Sequence, residues 1–250
     1  MERAIHISSV DRVKSGVSKC EDFVIKFTPS LNLDNKMRHE VAIDQISMTY
    51  SWHNISPNYN NNTIKYSNDK GSTWKTVTFP NGMYSYSDLD DYLHQIMKSN
   101  GHVNDDKYDI NLVFVLTTYK VVIELSNNYQ LDLRNTKFGE LIGFSPKLII
   151  ATEEGSKLPN ITNSIDSLHI NSDIISDSIV GGITSNTLLV IPTGTLKRSF
   201  PFVKEPKRAL FNEVYTSRIS QMRVYITDSL SRPVDLNGID WHMTIILKST

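Results

Sequence analysis

The stretch VYITDSLSRPVDLNGIDWHMTIILK, residues 224–248, decides the fold. Two apolar, β-rich runs flank a loop that carries Ser231-Arg232-Pro233 and Asn237-Gly238. In the second run Trp241, Met243, Ile245 and Leu247 alternate with His242, Thr244, Ile246 and Lys248, the period of a strand with one buried face. In the run before it, Met222, Val224 and Ile226 stand opposite Arg223, Tyr225 and Thr227. A strand this apolar, so close to Thr250, is expected inside a sheet, because a ragged end would leave its backbone groups unpaired. The expectation is a closed β-sandwich.

Working outward, SLHINSDII and NTLLVIPTG read as further strands. DFVIKFTP alternates from Phe23 through Ile25 to Phe27, and Pro29 is expected to close it. HEVAIDQISMTYSW alternates over Ile46, Met48, Tyr50 and Trp52, while Ile43 falls out of phase, which predicts a bulge. NNTIKYSNDKGSTWKTVTF is a hairpin turning at Asn68-Asp69-Lys70-Gly71. YDINLVFVL, YKVVIEL and YQLDL read as an antiparallel meander, and NTKFGELIGF as a helical turn ending at Gly143.

One segment changes period. Leu89, Tyr92, Leu93, Ile96 and Met97 recur at helical spacing, which predicts a helix over about 87–98 with Ser87 as N-cap and Gly101 as its stop. Residues 1–20 are small and polar and read as an extended arm. Roughly eight to ten strands, one helix and no βαβ rhythm predict an all-β chain, a single jelly-roll β-sandwich with a short helix in a connecting loop. The domain division expected is an N-terminal arm over 1–20 and one jelly roll over 21–250, with room for an insertion around 80–145.

Composition narrows the function. The 250 residues carry a net charge of −1 with 39% hydrophobic and 21% charged residues, which excludes a disordered polyelectrolyte and a strongly basic nucleic-acid binder. No apolar run reaches the roughly 18 residues of a membrane helix. The start lacks the apolar core of a secretion signal, so synthesis inside a cell without secretion is expected. Asn54, Asn61 and Asn160 open Asn-x-Ser/Thr triplets, and without secretion they are chance matches. Cys20 is the only cysteine, so neither an intrachain disulfide nor a cysteine zinc cage can form.

Catalytic constellations are thin. Histidines stand at 6, 39, 53, 94, 102, 169 and 242 without the close spacing of a metal site. Asp88, Asp90 and Asp91 suit the first turn of a helix, and Glu153-Glu154 read as a solvated loop tip. No nucleophile elbow or phosphate-binding loop occurs. No enzyme, cofactor or metal is predicted. Trp241 reads as core, and Trp74 is the best exposed aromatic for a sugar platform.

The most distinctive surface stretch is GTLKRSFPFVKEPKRALF, residues 194–211. Lys197, Arg198, Lys204, Lys207 and Arg208 gather against one acid, Glu205, interleaved with Phe200, Phe202 and Phe211. Pro201 and Pro206 hold it extended and keep it out of a helix or a central strand. Such a segment can dock on an acidic neighbour or a nucleic acid, and the competing reading is a solvated loop whose phenylalanines tuck into its own core.

The opening ISSVDRVKSGVSKCEDFVIKF, the middle YSWHNISPNYNNNTIKYS with GMYSYSDLDDYL, and the close RVYITDSLSRPVDLNGIDWHMTIILK resemble the minor capsid (penton) proteins of Polinton/Maverick elements, adintoviruses and virophages. That resemblance implies a single jelly roll, five copies of which form the capsid vertices beside a double-jelly-roll major capsid protein, located in the virion. It implies a homopentamer and a major capsid protein as partners, with no membrane insertion and no specific nucleic acid. The surfaces it leaves for assembly are the arm, with Arg12 and Lys14, and the segment with Lys197, Arg198, Lys204, Lys207 and Arg208. A carbohydrate- or receptor-binding jelly-roll module, trimeric or monomeric, is the alternative, and a jelly-roll enzyme comes third.

Overall fold

The computed structural model describes residues 2–13, 18–103, 107–162, 165–175 and 178–250, with the side chain of Ile183 also outside the description. The chain forms two compact units, Met1–Trp52 with Ile165–Thr250, and His53–Ser164. The first opens with β1 (Glu2–Ser8), β2 (Asp22–Asn32) and β3 (His39–Thr49). The second holds β4 (Thr63–Ser67), β5 (Lys75–Thr78), α1 (Tyr86–Ser99), β6 (Ile110–Val115), β7 (Lys120–Leu125), β8 (Gln130–Asp132), α2 (Phe138–Leu141), β9 (Leu148–Ile149) and β10 (Glu153–Glu154). The first unit then resumes with β11 (Ser167–Ser172), β12 (Ser178–Val180), β13 (Ile183–Ser185), β14 (Thr187–Pro192), β15 (Pro201–Lys204), β16 (Asn212–Glu213), β17 (Arg218–Asp228) and β18 (His242–Ser249).

In the first unit one sheet runs β1-β18-β3-β15, with β16 also on β3, and the other runs β14-β11-β17-β2. Apart from the β11–β14 pair, successive long strands cross between the sheets in the order of a jelly roll, so the predicted class holds. β18 is paired on both sides, by β1 and by β3. Its Trp241, Met243, Ile245 and Leu247 are buried, and the Trp241 ring meets Phe23 of β2 edge to face at 5.8 Å, closing the core between the sheets. The indole N–H donates to the Cys20 carbonyl at 2.8 Å, which gives the polar end of that ring a partner. The bulge foreseen at Ile43 is present: Thr244 pairs with Gln45 and Ile245 with Ile43, leaving Asp44 as the extra residue.

Within the stretch read as an extended arm, Glu2–Ser8 is a strand that pairs along its length with β18. Its signal in the sequence is short because only Ile7 is deeply buried and Ser8-Ser9 end the alternation. β2 does not stop at Pro29 but runs on to Asn32. The register jumps from Lys26 opposite Gln221 to Leu31 opposite Ile219, so Pro29 lies in an irregular stretch where no ladder donor is required of it. The segment between β3 and β11 falls in the unit His53–Ser164, in which the β4–β5 hairpin and α1 share one core.

In that second unit Leu89, Leu93 and Met97 turn inward from α1 against Ile64, Tyr66, Val77, Phe79 and Ile110. The N-cap lies two residues before the predicted one: Ser85, not Ser87, caps the helix, its side chain accepting from the Asp88 N–H while Asp88 reaches back to the Ser85 N–H. At the other end Gly101 adopts φ +73, and His102 N–H bonds the Met97 carbonyl, so the helix stops where its glycine predicts. The predicted meander is broken. β6 and β7 pair, but β8 leaves them to join β4 and β9, because Ser126-Asn127-Asn128 turns the chain without pairing β8 to β7. Glu153-Glu154 is a short strand on β7 rather than a free tip.

The β4–β5 turn is organised by Asp69, which accepts from the Ser67 hydroxyl at 2.6 Å and from the Thr73 N–H and hydroxyl at 2.8 and 2.6 Å. These donors, Ser67 first and then Thr73, hold its carboxyl down at about 2, against an ordinary 3.8. A carboxyl depressed in the folded state stabilises above its unfolded value and loses that contribution as pH falls through its folded one. Acid titration of stability between about pH 4 and pH 2 is therefore expected to be shallower in Asp69→Asn than in the parent, followed by chemical denaturation at each pH. Identical slopes would remove Asp69 from the acid response.

Two of the chance glycosylation triplets do structural work. Asn54 donates to the carbonyls of Tyr84 at 2.8 Å and Ile161 at 2.6 Å. Asn61 donates to the Asn54 carbonyl at 2.8 Å and accepts from the Ser56 N–H at 2.9 Å, fully buried. Asn61→Ala is expected to destabilise by about 1–3 kcal/mol, the cost of leaving buried partners unsatisfied. Urea denaturation measures this, and an unchanged midpoint would refute it.

Candidate assembly surface

β15 lies on the edge of its sheet, with Pro201 opposite Thr49 and Lys204 opposite Ile46. The chain enters it through a tight turn in which Ser199, at φ +60, donates its N–H to the Tyr50 carbonyl and Tyr50 N–H returns to Phe200. Pro201 is therefore tolerated: it is the first residue of an edge strand. The prolines keep the segment extended as predicted, and the segment still pairs with β3.

Along this edge the apolar side chains do not fold inward. Phe200 is 61% exposed, Val203 59% and Leu210 62%, with Phe211 at the margin. Between them Lys197, Lys204, Lys207 and Arg208 are exposed and Arg198 half-buried. Among the described residues none of these five forms an ion pair. Glu205, the one acid of the stretch, instead accepts from the Gln45 amide at 2.7 Å. The Phe211 ring is overlain by Lys248 at 5.3 Å. Next to this edge a cleft of about 820 Å³ opens between residues 208–212 and β12 with β14, adding Ile179 and Val190 to the exposed apolar surface. Phe200 and Phe211 were readable in the sequence, but Leu210, Ile179 and Val190 were not, because single aliphatics in a strand-rich chain look like core.

Arg12 does not join this strip. Arg12 bonds Asp240 at 2.6 Å and the Ser9 carbonyl at 2.5 Å, where the chain has left β1 and has not yet entered β18. Hydrogen bonding from Ser9 first, and then from Arg12, holds the Asp240 carboxyl below its usual range. Arg12 is thus a clasp on the chain's own loop rather than an open charge; its partner lies 228 positions away and could not be read from spacing. Lys14 lies outside the described residues.

Among the described residues no three His, Cys, Asp or Glu side chains converge as metal ligands. Several histidines hold structure together: His39 contacts Ser249 and the Asp34 carbonyl, His94 the Ile110 carbonyl, and His102 the Tyr66 hydroxyl. Asp90 accepts from the Leu112 N–H at 2.7 Å, tying α1 to β6, and burial raises its carboxyl above the ordinary value. Cys20 is buried, and burial first, with Glu21 beside it, pushes its thiol up to about 12. Trp52 and Trp241 are core, and Trp74 is only partly exposed. No helix among the described residues is long and apolar enough to cross a membrane.

No family model and no curated protein matches this sequence. Among solved structures the fold is similar to the crystal structure of SeMet-labeled mavirus penton protein, with a TM-score of 0.56 and 10% identity over 100% of both chains.

Proposed function

We propose that this protein is a penton-type minor capsid protein, a non-enzymatic structural subunit that closes as a homopentamer at a five-fold vertex of the virion beside a major capsid protein. The observation that carries the proposal is the likeness to a penton protein along the whole of both chains, which includes the jelly roll and the segment between β3 and β11. The strip on the β15 edge supports it, since exposed apolar side chains interleaved with unpaired cations suit the surface of a partner.

A five-fold ring uses a heterologous contact, one patch of each subunit against a different patch of the next. The sheet offers two open edges, β15 and β1, which run antiparallel to each other. Pro201 has no N–H to give, so the β15 edge is suited to side-chain packing rather than strand addition. In this arrangement Phe200, Val203 and Leu210 are the anchors and the five cations are the rim.

Light scattering on a sizing column is expected to give about 142 kDa, five times the 28.4 kDa chain. Val203→Asp with Leu210→Asp, both at exposed positions, is expected to return the monomer with an unchanged circular dichroism spectrum. A trimer would favour the receptor-binding alternative. A monomer that also fails to associate with a co-expressed major capsid protein would overturn the proposal.

A further inference from the structure

The outward face of β11 carries Ser167, His169 and Asn171, while Leu168 and Ile170 turn into the core. An outer sheet face is ordinarily wet, yet His169 is 8% exposed, Asn171 4% and Thr187 5%. They lie in a cleft of about 630 Å³ whose other wall is the β12–β13 hairpin, turned at Gly181-Gly182 with φ +59 and +83. Polar side chains are costly to enclose unless they have partners, and these are wired together. Thr187 donates to Asn171 Oδ1 at 2.7 Å, Asn171 Nδ2 donates to Thr227 Oγ1 at 3.1 Å, and Ser185 and Thr187 share a hydrogen bond at 2.6 Å. His169 Nε2 meets Ser167 at 3.2 Å, while Nδ1 has no partner among the described residues.

The lining chemistry selects the ligand class. Among the described residues no Lys, Arg, Asp or Glu lines the cleft, so an anion or a metal ion finds no opposite charge in that lining. Asp228, next to Thr227, is closed off by Arg232 at 2.6 Å and by the N–H groups of Leu230 and Arg232. An extended peptide would need a free strand edge, and β11 is already paired on both sides, by β14 and β17. What remains is an array of neutral hydroxyls, an amide and an imidazole, with the ring of Tyr225 at the side. That ring, half-buried and overlain by Arg223 at 4.8 Å, offers an aromatic surface of the kind that packs on the C–H face of a sugar. Burial lowers the His169 imidazole below its ordinary value, against the opposing pull of Asp166 and Asp228, which favours the neutral ring.

We propose that this cleft binds a short neutral oligosaccharide, with His169, Thr227 and Ser231 bonding its hydroxyls and Tyr225 stacking on one ring. The size suits such a ligand, within the roughly 300–1,000 Å³ of small-molecule sites. The inference does not depend on five-fold assembly.

The test is saturation-transfer NMR on the full chain with lactose, maltose and chitobiose at millimolar concentration, and sialyllactose as the charged counterpart. At least one neutral disaccharide is expected to give a signal. Tyr225→Ala, and Thr184→Trp on the exposed rim, are each expected to weaken it about tenfold or more, a loss of about 1.4 kcal/mol in binding. If either variant changes the circular dichroism spectrum, Thr227→Val replaces it. The proposal fails if no neutral sugar binds, if sialyllactose binds more tightly, or if the signal survives these variants and is lost in Trp74→Ala.

Discussion

A chain lacking residues 240–250 is expected to yield no soluble, cooperatively folded protein. β18 is not an edge that a sheet can shed: its removal unpairs β1 and β3 together and splits β1-β18-β3-β15 down the middle. Trp241, Met243, Ile245 and Leu247 leave the core with it, and each buried side chain of this kind contributes about 1.5–3 kcal/mol. Four of them rival the whole margin of about 5–15 kcal/mol by which a domain is folded. The Asp240 clasp to Ser9 and Arg12 is lost as well. Soluble yield and far-UV circular dichroism decide the matter; a truncated chain with the parent spectrum would show that the sheet can close without its central strand.

Gly143→Ala is expected to cost about 3–5 kcal/mol, far more than the same change at Gly101. Both glycines have left-handed backbones, φ +83 and +73, where an L side chain is strained by about 1–2 kcal/mol. Nothing lies within 4 Å of a Cβ added at Gly101. At Gly143 the added carbon would press into the backbone carbonyl of Lys157, whose amide is bonded to the Gly143 carbonyl at 3.0 Å and cannot easily retreat. The difference between the two variants therefore isolates the clash. Urea denaturation of both is the measurement, and equal losses would mean that the Lys157 segment yields.

What could be read in the sequence was local. Alternation located β18, β17 and β3, the slip of Ile43 located a bulge, and glycines marked the ends of α1 and α2. Pairing partners were hidden, because β8 joins β4 across more than 60 residues and nothing in YQLDL says so. The cap of α1 was misplaced by two residues because Ser85 and Ser87 are chemically equivalent, and only the reciprocal bond from Asp88 separates them. The basic strip was visible as a run of cations with aromatics, whereas the role of Arg12 required knowing where Asp240 sits. The cleft on β11 was invisible, since isolated Ser, Thr, Asn and His on a strand look like a solvated face until a hairpin encloses them.

The bond from Asn54 to the Ile161 carbonyl joins the two stems of the His53–Ser164 unit. A segment of that length would ordinarily tax the closure of the strands on either side of it, by an entropy that grows with the logarithm of its length. With its entry and exit fastened together and a core of its own, it behaves towards the jelly roll as a short connection. Such a segment is an exchangeable cassette: its outer loops can be rewritten, or another compact unit put in its place, without changing the order in which the sandwich strands must find one another.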